Sequence, residues 1–204
     1  MKLSVAILIS GSGSNMVQLI KSMDHEHPAF PSIVISNRSD ALGLKKAQDL
    51  GIPTKVIDQN LIKSNGLNFE KELINILIEN KIDIICLAGF MKILSEKFIK
   101  KFSDRILNIH PSLLPKYKGL NTHARALASN DAIAGCSVHL VTAELDGGPV
   151  LAQTKVLIEK NETVDSLKAK VLIQEHVLYP KVLLNFSNHL KKNLLKPRFA
   201  SDAF

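Results

Sequence analysis

The feature that most constrains the fold is a regular alternation of short apolar runs with segments of helical spacing. In the segment 69–78, for instance, apolar residues recur three and four apart, as on one face of a helix. Five apolar runs have the length of a strand: three before this segment, at 3–9, 33–35 and 54–57, and two after it, at 82–87 and 106–109. Strands that alternate with helices predict a mostly parallel sheet with helices on both faces, an α/β fold.

The last third of the chain departs from this alternation. Two strand-like runs, 137–141 and 150–156, flank the turn signal Glu144-Leu145-Asp146-Gly147-Gly148-Pro149. A hairpin here would make the sheet mixed. A long helix is predicted over 163–186, with Thr163 as its N-cap and a kink at Pro180. No repeat or linker divides the chain, so we expect one domain over 1–204.

Composition narrows the classes of function. No apolar run approaches the roughly 20 residues that span a bilayer, so no membrane partner is expected. Cys86 and Cys136 lie in apolar runs, which favours buried thiols in a reducing cytoplasm. The net charge of +7 fits a solvated lysine-rich surface or an anionic substrate. Aromatic residues make up only 5%, too few for base-stacking platforms, so nucleic acid is not expected as a partner.

A glycine loop follows the first strand. Gly11-Ser12-Gly13-Ser14-Asn15 opens a helix, whose amino-terminal N–H groups attract phosphate. Met16 stands where a dinucleotide fingerprint needs glycine or alanine, and the lysine of a P-loop is missing. The loop therefore favours a single phosphate over a dinucleotide, although an ordinary strand-to-helix turn would look the same.

Polar residues end the strand at 106–109. Asn108 and His110 point to the same face because strand side chains alternate, and Pro111 follows them. The carboxyl ends of α/β strands are where such sheets bind ligands. An amide stabilises a developing oxyanion and an imidazole moves protons, so this pair predicts a catalytic site. The alternative is a strand end that simply meets solvent.

Two carboxylates complete the candidate residues. Asp146 precedes two glycines, which is common in turns without any catalytic role. Glu175 shares the apolar face of the last helix with Val171 and Leu178, where a carboxylate is costly unless a cation or a hydrogen-bond donor meets it. A structural partner from the sheet and a ligand are both possible. The histidines form no recognisable zinc spacing, so no metal is expected; His25 and His27 are interpreted as solvated loop residues and His139 as a strand residue.

Four motifs in order carry a family resemblance. They are the glycine loop at 9–15, Leu87-Ala88-Gly89-Phe90-Met91, the segment 107–117 (LNIHPSLLPKY) and the segment 144–150 (ELDGGPV). Together they resemble the folate-dependent formyltransferases, and the loop and chain length resemble the phosphoribosylglycinamide branch of that family. The resemblance implies a Rossmann-like formyltransferase fold. It also implies formyl transfer from 10-formyltetrahydrofolate, the cosubstrate, to phosphoribosylglycinamide in purine biosynthesis, with no metal.

The resemblance also assigns residues. It implies a catalytic set of Asn108, His110 and Asp146, with Asp146 raising the imidazole pKa and helping to keep His110 protonated. It places the ribotide phosphate at Gly13, Ser14 and Asn15 and the substrate amine at Glu175. The folate is expected against two segments: Met91, Lys92, Ile93 and Leu94, and Thr142, Ala143, Glu144, Leu145 and Asp146. The ribotide half is thus about 1–100 and the folate and catalytic half about 101–190, in a monomer or a homodimer.

Three positions depart from the family pattern. Lys92 replaces a frequent arginine, Asn121 replaces a histidine of some relatives, and the loop Ser64-Asn65-Gly66 lacks an arginine that others place near the folate. These differences bear on folate affinity more than on the chemistry.

Two other classes of function stay open. A formyltetrahydrofolate deformylase would use the same trio to pass the formyl group to water, but commonly carries an extra amino-terminal domain. A non-catalytic basic nucleotide- or nucleic-acid-binding module would show steeply salt-dependent binding. A methionyl-tRNA formyltransferase would need an added carboxyl-terminal domain, and only a short tail follows Phe186.

Overall fold

The computed structural model describes residues 1–58 and 68–195, with side chains up to residue 192. The strands within these ranges are β1 (Leu3–Ile9), β2 (Ala29–Ser36), β3 (Thr54–Val56), β4 (Ile84–Leu87), β5 (Ile106–His110), β6 (Ile133–Leu140) and β7 (Val150–Leu157). The helices are α1 (Ser14–Ser22), α2 (Leu42–Asp49), α3 (Phe69–Glu79), α4 (Glu96–Lys101), α5 (Thr122–Ala128) and α6 (Val164–Leu195).

The strands form one seven-stranded sheet in the order β3-β2-β1-β4-β5-β6-β7. Strands β1 to β5 are parallel, whereas β6 runs antiparallel to β5, and β7 antiparallel to β6. The predicted mixed α/β sheet is therefore confirmed, including the hairpin between β6 and β7. The chain leaves β1 toward β2 on one side and later returns to β4 on the other, which places a topological switch between β1 and β4.

Two apolar cores cover the sheet, one on each face. Along β1, Val5, Ile7 and Ile9 contribute to the core that includes α1 and α6, while Ala6 and Leu8 contribute to the core that includes α3 and α4. Burial on both faces explains why this strand is apolar throughout rather than alternating.

Helix α6 packs on the sheet and bonds to two of its parallel strands. Its Tyr179 is fully buried, and the hydroxyl lies 3.2 Å from the Leu87 carbonyl oxygen and 3.0 Å from the Leu107 carbonyl oxygen. It thereby links the last residue of β4 to the second residue of β5. Thr163 caps the helix as predicted, its hydroxyl accepting from the Ser166 N–H at 3.1 Å.

The boundaries of several elements differ from the predictions. Strand β2 begins at Ala29 rather than Ile33, and α6 continues past Phe186 to Leu195. The helix continues because Leu190 still packs against the core and no proline or glycine follows before Pro197. The helix passes through Pro180, and the kink stays a prediction. The loop Ser64-Asn65-Gly66 lies outside the described residues.

Candidate active site

The candidate residues gather along the carboxyl edge of the parallel strands. The glycine loop follows β1, the segment Gly89–Met91 follows β4, and His110 ends β5. Because β1 and β4 flank the topological switch, we expect their loops to diverge beyond the strand ends, and we call the space between them the crevice. Open α/β sheets bind ligands at such a crevice.

Four side chains meet at the end of β5. Asn108 faces His139 across the antiparallel β5–β6 pair, with Asn108 Nδ2 3.1 Å from His139 Nε2. The carboxylate of Asp146 lies between the two imidazoles: Oδ2 is 3.3 Å from His110 Nδ1 and Oδ1 is 3.6 Å from His139 Nε2. We call Asn108, His110, His139 and Asp146 the carboxyl-end cluster.

The turn after β6 delivers Asp146 to this cluster. Asp146 has a φ of 47°, a left-handed conformation that aspartate and asparagine tolerate better than most residues. Gly148 follows where a side chain would not fit, because a Cβ there would stand 1.9 Å from the Leu140 carbonyl oxygen. From the other side, the Gly119 N–H donates to Asp146 Oδ2 at 2.8 Å. The motif Asp-Gly-Gly thus both makes the turn and aims the carboxylate.

The electrostatics of the cluster differ from the expectation. Burial lowers the pKa of His110 below its ordinary value of 6.5, and this outweighs the Tyr117 carbonyl and the Asp146 carboxylate, which raise it. Burial raises the pKa of Asp146, but the contact with the His139 side chain, the hydrogen bond from the Gly119 N–H and the charge of the nearby imidazoles bring it below 3.8. The Asp146 carboxylate acts on the His110 pKa in the expected direction, but desolvation is larger, so the net direction is downward rather than upward.

The surroundings of His110 are nevertheless those of a proton carrier. Its Nε2 lies 2.9 Å from the Tyr117 carbonyl, which only accepts, so this nitrogen holds the proton of the neutral ring. Its Nδ1 faces the Asp146 carboxylate. A second proton taken up by the ring would therefore meet an acceptor on each nitrogen.

The glycine loop is braced from α2. Gly13 has a φ of 69° and precedes α1, and a Cβ at this position would lie 2.8 Å from Gly43 Cα. The Gly43 N–H donates to the Gly11 carbonyl at 3.0 Å, and Lys46 Nζ donates to the Ser12 carbonyl at 2.9 Å. The first-turn N–H groups of α1 have no acceptor within the helix, as at any helix start.

Glu175 of α6 contacts the residue that ends this loop, Asn15. It is only 7% exposed, and its Oε2 accepts from Asn15 Nδ2 at 2.7 Å. Its partner is thus an amide of α1, and neither a cation nor a group of the sheet. Burial raises the pKa of Glu175, while the Asn15 hydrogen bond lowers it by less. Asn15 Oδ1 is buried without a partner. We call Gly13, Ser14, Asn15 and Glu175 the glycine-loop site; two acceptors in it could receive further N–H donors.

The predicted folate segments are largely exposed. Met91 and Ile93 are 73% and 79% exposed, whereas Leu94 is buried. Lys92 Nζ lies 4.8 Å from the centre of the Phe69 ring. On the opposite segment Leu145 is 54% exposed, and Lys118 forms an ion pair with Glu144 at 2.6 Å. Both segments therefore expose apolar side chains, and folate binding by them stays a prediction.

Comparison with known proteins identifies the family. The model of the family described as "Formyl transferase" matches residues 3–183. The chain belongs to the formyl transferase family.

Individual relatives agree with this assignment. Phosphoribosylglycinamide formyltransferase of Escherichia coli is 42% identical over 187 residues, 91% of this chain and 88% of the relative. The crystal structure of phosphoribosylglycinamide formyltransferase from Brucella melitensis superposes with a TM-score of 0.86 at 45% identity, covering 92% of this chain and 96% of the other. The human trifunctional purine biosynthetic protein adenosine-3 is 44% identical over 183 residues, but the chain spans only 18% of its length.

Within this formyl transferase chain, sequence reasoning missed His139. It was discounted as a strand residue, yet it is 1% exposed and contacts both Asn108 and Asp146. Its own Nδ1 lies 2.9 Å from the Leu140 carbonyl, which fixes the proton on Nδ1 and leaves Nε2 to accept from Asn108. No local pattern signals this role, because it arises from the antiparallel pairing of β5 with β6, which sets His139 opposite Asn108.

The structure also corrects the interpretation of a second histidine, His27. His27 is 3% exposed, so its interpretation as a solvated residue was wrong; its Nδ1 accepts from the Ala29 N–H at 3.0 Å.

In residues 1–58 and 68–195, no group of three or more His, Cys, Asp or Glu side chains has an arrangement suited to a metal ion. No helix in the same ranges is both long and apolar enough to cross a bilayer.

Proposed function

We propose that this chain transfers the formyl group of 10-formyltetrahydrofolate to the amine of phosphoribosylglycinamide. The products are formylglycinamide ribonucleotide and tetrahydrofolate, in purine biosynthesis. The observation that carries the proposal is the convergence of Asn108, His110 and Asp146 at one sheet edge, in a chain similar to relatives named for this activity over most of their length. We place the reaction in the cytoplasm, in a single-domain protein that acts as a monomer or a homodimer.

The proposed chemistry needs stabilisation of an oxyanion. Attack of the neutral amine on the formyl carbon places negative charge on the formyl oxygen. The Asn108 amide has two N–H bonds, and one is directed to His139 Nε2 at 3.1 Å. The other is available to the oxyanion, and its direction is held by the first bond. A preorganised donor of this kind is worth about 10²–10³ in rate.

Proton transfer is assigned to His110 and Asp146. The attacking nitrogen must lose a proton and the leaving nitrogen of the folate must gain one. Burial lowers the pKa of His110 and so favours its neutral form, and we assign the first proton to this neutral ring. The imidazolium that results is stabilised by the Asp146 carboxylate and the Tyr117 carbonyl, and it returns the proton to the leaving group.

The two substrates are assigned to the two halves of the crevice. The ribotide phosphate is placed on the first turn of α1 at Gly13, Ser14 and Asn15, with the glycinamide amine at Glu175. The folate is placed between 91–94 and 142–146, against the carboxyl-end cluster. Residues up to about 100 then serve mainly the ribotide, and residues 101–190 the folate and the chemistry.

An assay of folate product tests this assignment. We expect tetrahydrofolate to be released from 10-formyltetrahydrofolate only when phosphoribosylglycinamide is present, with one formylated ribotide per tetrahydrofolate. Release at the same rate without the ribotide would instead identify a deformylase. No release, together with salt-dependent binding to generic RNA or DNA, would identify a non-catalytic basic module.

A further inference from the structure

One buried hydroxyl joins the two loops of the crevice. Ser10 follows β1, directly before the glycine loop, and is 6% exposed. Its Oγ donates to Asn37 Oδ1 at 2.6 Å and accepts from the Met91 N–H at 2.8 Å. Its own N–H donates to the Gly89 carbonyl at 3.1 Å. Gly89–Met91 is thus held by two hydrogen bonds to one residue of the neighbouring strand end.

The geometry requires a group that both donates and accepts. Asn37 Oδ1 only accepts and the Met91 N–H only donates, so a hydroxyl satisfies both, whereas alanine satisfies neither. Met91 begins the proposed folate segment, and its side chain points outward, at 73% exposure. The position of this segment therefore depends on backbone contacts, and the Ser10 hydroxyl supplies one of them.

We propose that Ser10 is a positioning residue for the folate cosubstrate, acting through the Met91 N–H to hold the segment 91–94 against the crevice. The inference rests on the proposed function. The Ser10 hydroxyl itself touches neither substrate. The glycine loop keeps its own braces to Gly43 and Lys46, so the effect of losing the hydroxyl is confined to the folate side.

The same strand offers a matched control. Ser4 lies near the amino end of β1 and is also 6% exposed. Its hydroxyl donates to the Lys81 carbonyl, lies 3.1 Å from Asp83 Oδ2 and accepts from the Asp83 N–H at 3.1 Å. Ser4→Ala therefore removes a comparably buried and bonded hydroxyl at the edge opposite the crevice.

The experiment is calorimetric titration of wild type, Ser10→Ala and Ser4→Ala with tetrahydrofolate, kept reduced, and separately with phosphoribosylglycinamide. We expect Ser10→Ala to raise the dissociation constant for tetrahydrofolate about tenfold, since a buried N–H is left unpaired. The constant for the ribotide should stay within about twofold of wild type. Ser4→Ala should lower the melting temperature but leave both constants unchanged. In turnover, the KM for the folate should rise more than kcat falls.

Several outcomes overturn the inference. Equal tetrahydrofolate binding by Ser10→Ala and Ser4→Ala would reduce Ser10 to a structural residue. An equal loss of both ligands in Ser10→Ala would show that the hydroxyl does not act on the folate side alone. A wild-type protein that binds neither ligand would overturn the proposed function itself, and this inference with it.

A second variant keeps the test decisive if Ser10→Ala does not fold. Asn37→Ala removes the acceptor that orients the Ser10 hydroxyl but leaves the Met91 N–H its partner. We expect a rise of about threefold in the dissociation constant for tetrahydrofolate and faster hydrogen exchange at the Met91 amide. Unchanged binding and exchange in Asn37→Ala would overturn the inference.

Discussion

The carboxyl-end cluster and the glycine-loop site lie on one edge of the same sheet but are built differently. In the first, Asp146 contacts two imidazoles and the Gly119 N–H, and the ring nitrogens of His110 and His139 face acceptors or donors of the protein. In the second, the buried carboxylate of Glu175 accepts a hydrogen bond from Asn15 Nδ2, and Asn15 Oδ1 has no partner among the described residues.

The difference separates a preorganised site from an incomplete one. The side chains of the carboxyl-end cluster contact one another and the backbone, so their positions do not depend on a ligand. The glycine-loop site contains a charge whose burial is only partly offset, which raises the pKa of Glu175. A ligand that brings N–H donors would satisfy it, so binding energy there should depend strongly on the charge of Glu175.

The largest effect should follow a change in the carboxyl-end cluster. Asp146→Asn should fold normally, because asparagine accepts the φ of 47° as readily as aspartate. Its turnover should fall by about 10²–10⁴-fold, the scale of general acid–base catalysis. The pKa of His110, followed by NMR, should fall further in this variant, because the neighbouring negative charge is gone.

A double mutant tests whether this cluster acts as a unit. His110→Ala should lose activity comparably, and His110→Ala with Asp146→Asn should be little worse than either single variant. Fully additive losses would show that the two side chains work independently. Near-normal turnover of Asp146→Asn would make Asp146 a turn residue only.

The second-largest effect should follow removal of the negative charge of Glu175 from the glycine-loop site. Glu175→Gln keeps the shape and an acceptor for Asn15 but loses the charge-assisted hydrogen bond to the substrate amine. We expect calorimetry to show ribotide affinity weaker by about 1.5–3 kcal/mol, with folate affinity unchanged. Stability at pH 7 should not fall, because a buried carboxylate has been replaced by a neutral group. Normal ribotide binding with easier unfolding would make Glu175 structural.

A smaller effect should follow an added charge at the phosphate position. Gly13→Val is unsuitable as a test, since its Cβ would meet Gly43 and its φ of 69° disfavours valine. Ser14→Asp is a better test of the phosphate position, because a carboxylate in the first turn stabilises α1 but repels a phosphate. Ribotide affinity should fall about tenfold, with the melting temperature unchanged or higher. An unchanged affinity would place the phosphate elsewhere.

The smallest effect is a difference in pH dependence. The folded-state pKa of His110 is below the unfolded value, so the unfolded chain takes up its proton first and stability falls as pH drops below about 6.5. The pKa of Glu175 is raised, so its contribution to stability grows as pH falls through that raised value. We expect urea unfolding to show how the free energy of unfolding falls between pH 7.5 and pH 5.5. This fall should be smaller in His110→Asn and larger in Glu175→Gln than in the wild type. Identical slopes in both variants would contradict these opposite pKa shifts.

The alternation of apolar runs was sufficient to predict the mixed α/β sheet, because a strand buried on both faces has to be apolar throughout. Strand periodicity likewise put Asn108 and His110 on one face, and helical periodicity put Glu175 on a buried face. These are local regularities, and a sequence displays them directly.

Other properties depend on tertiary structure. The partner of Glu175 is Asn15, which lies 160 positions away, and no local pattern connects them. His139 reaches Asn108 only through the register of β5 and β6. The direction of the His110 pKa depends on a competition between burial, which lowers it, and the Tyr117 carbonyl and Asp146 carboxylate, which raise it. Sequence shows which charges are available, but the degree of burial, and hence the direction of the pKa, is decided by packing.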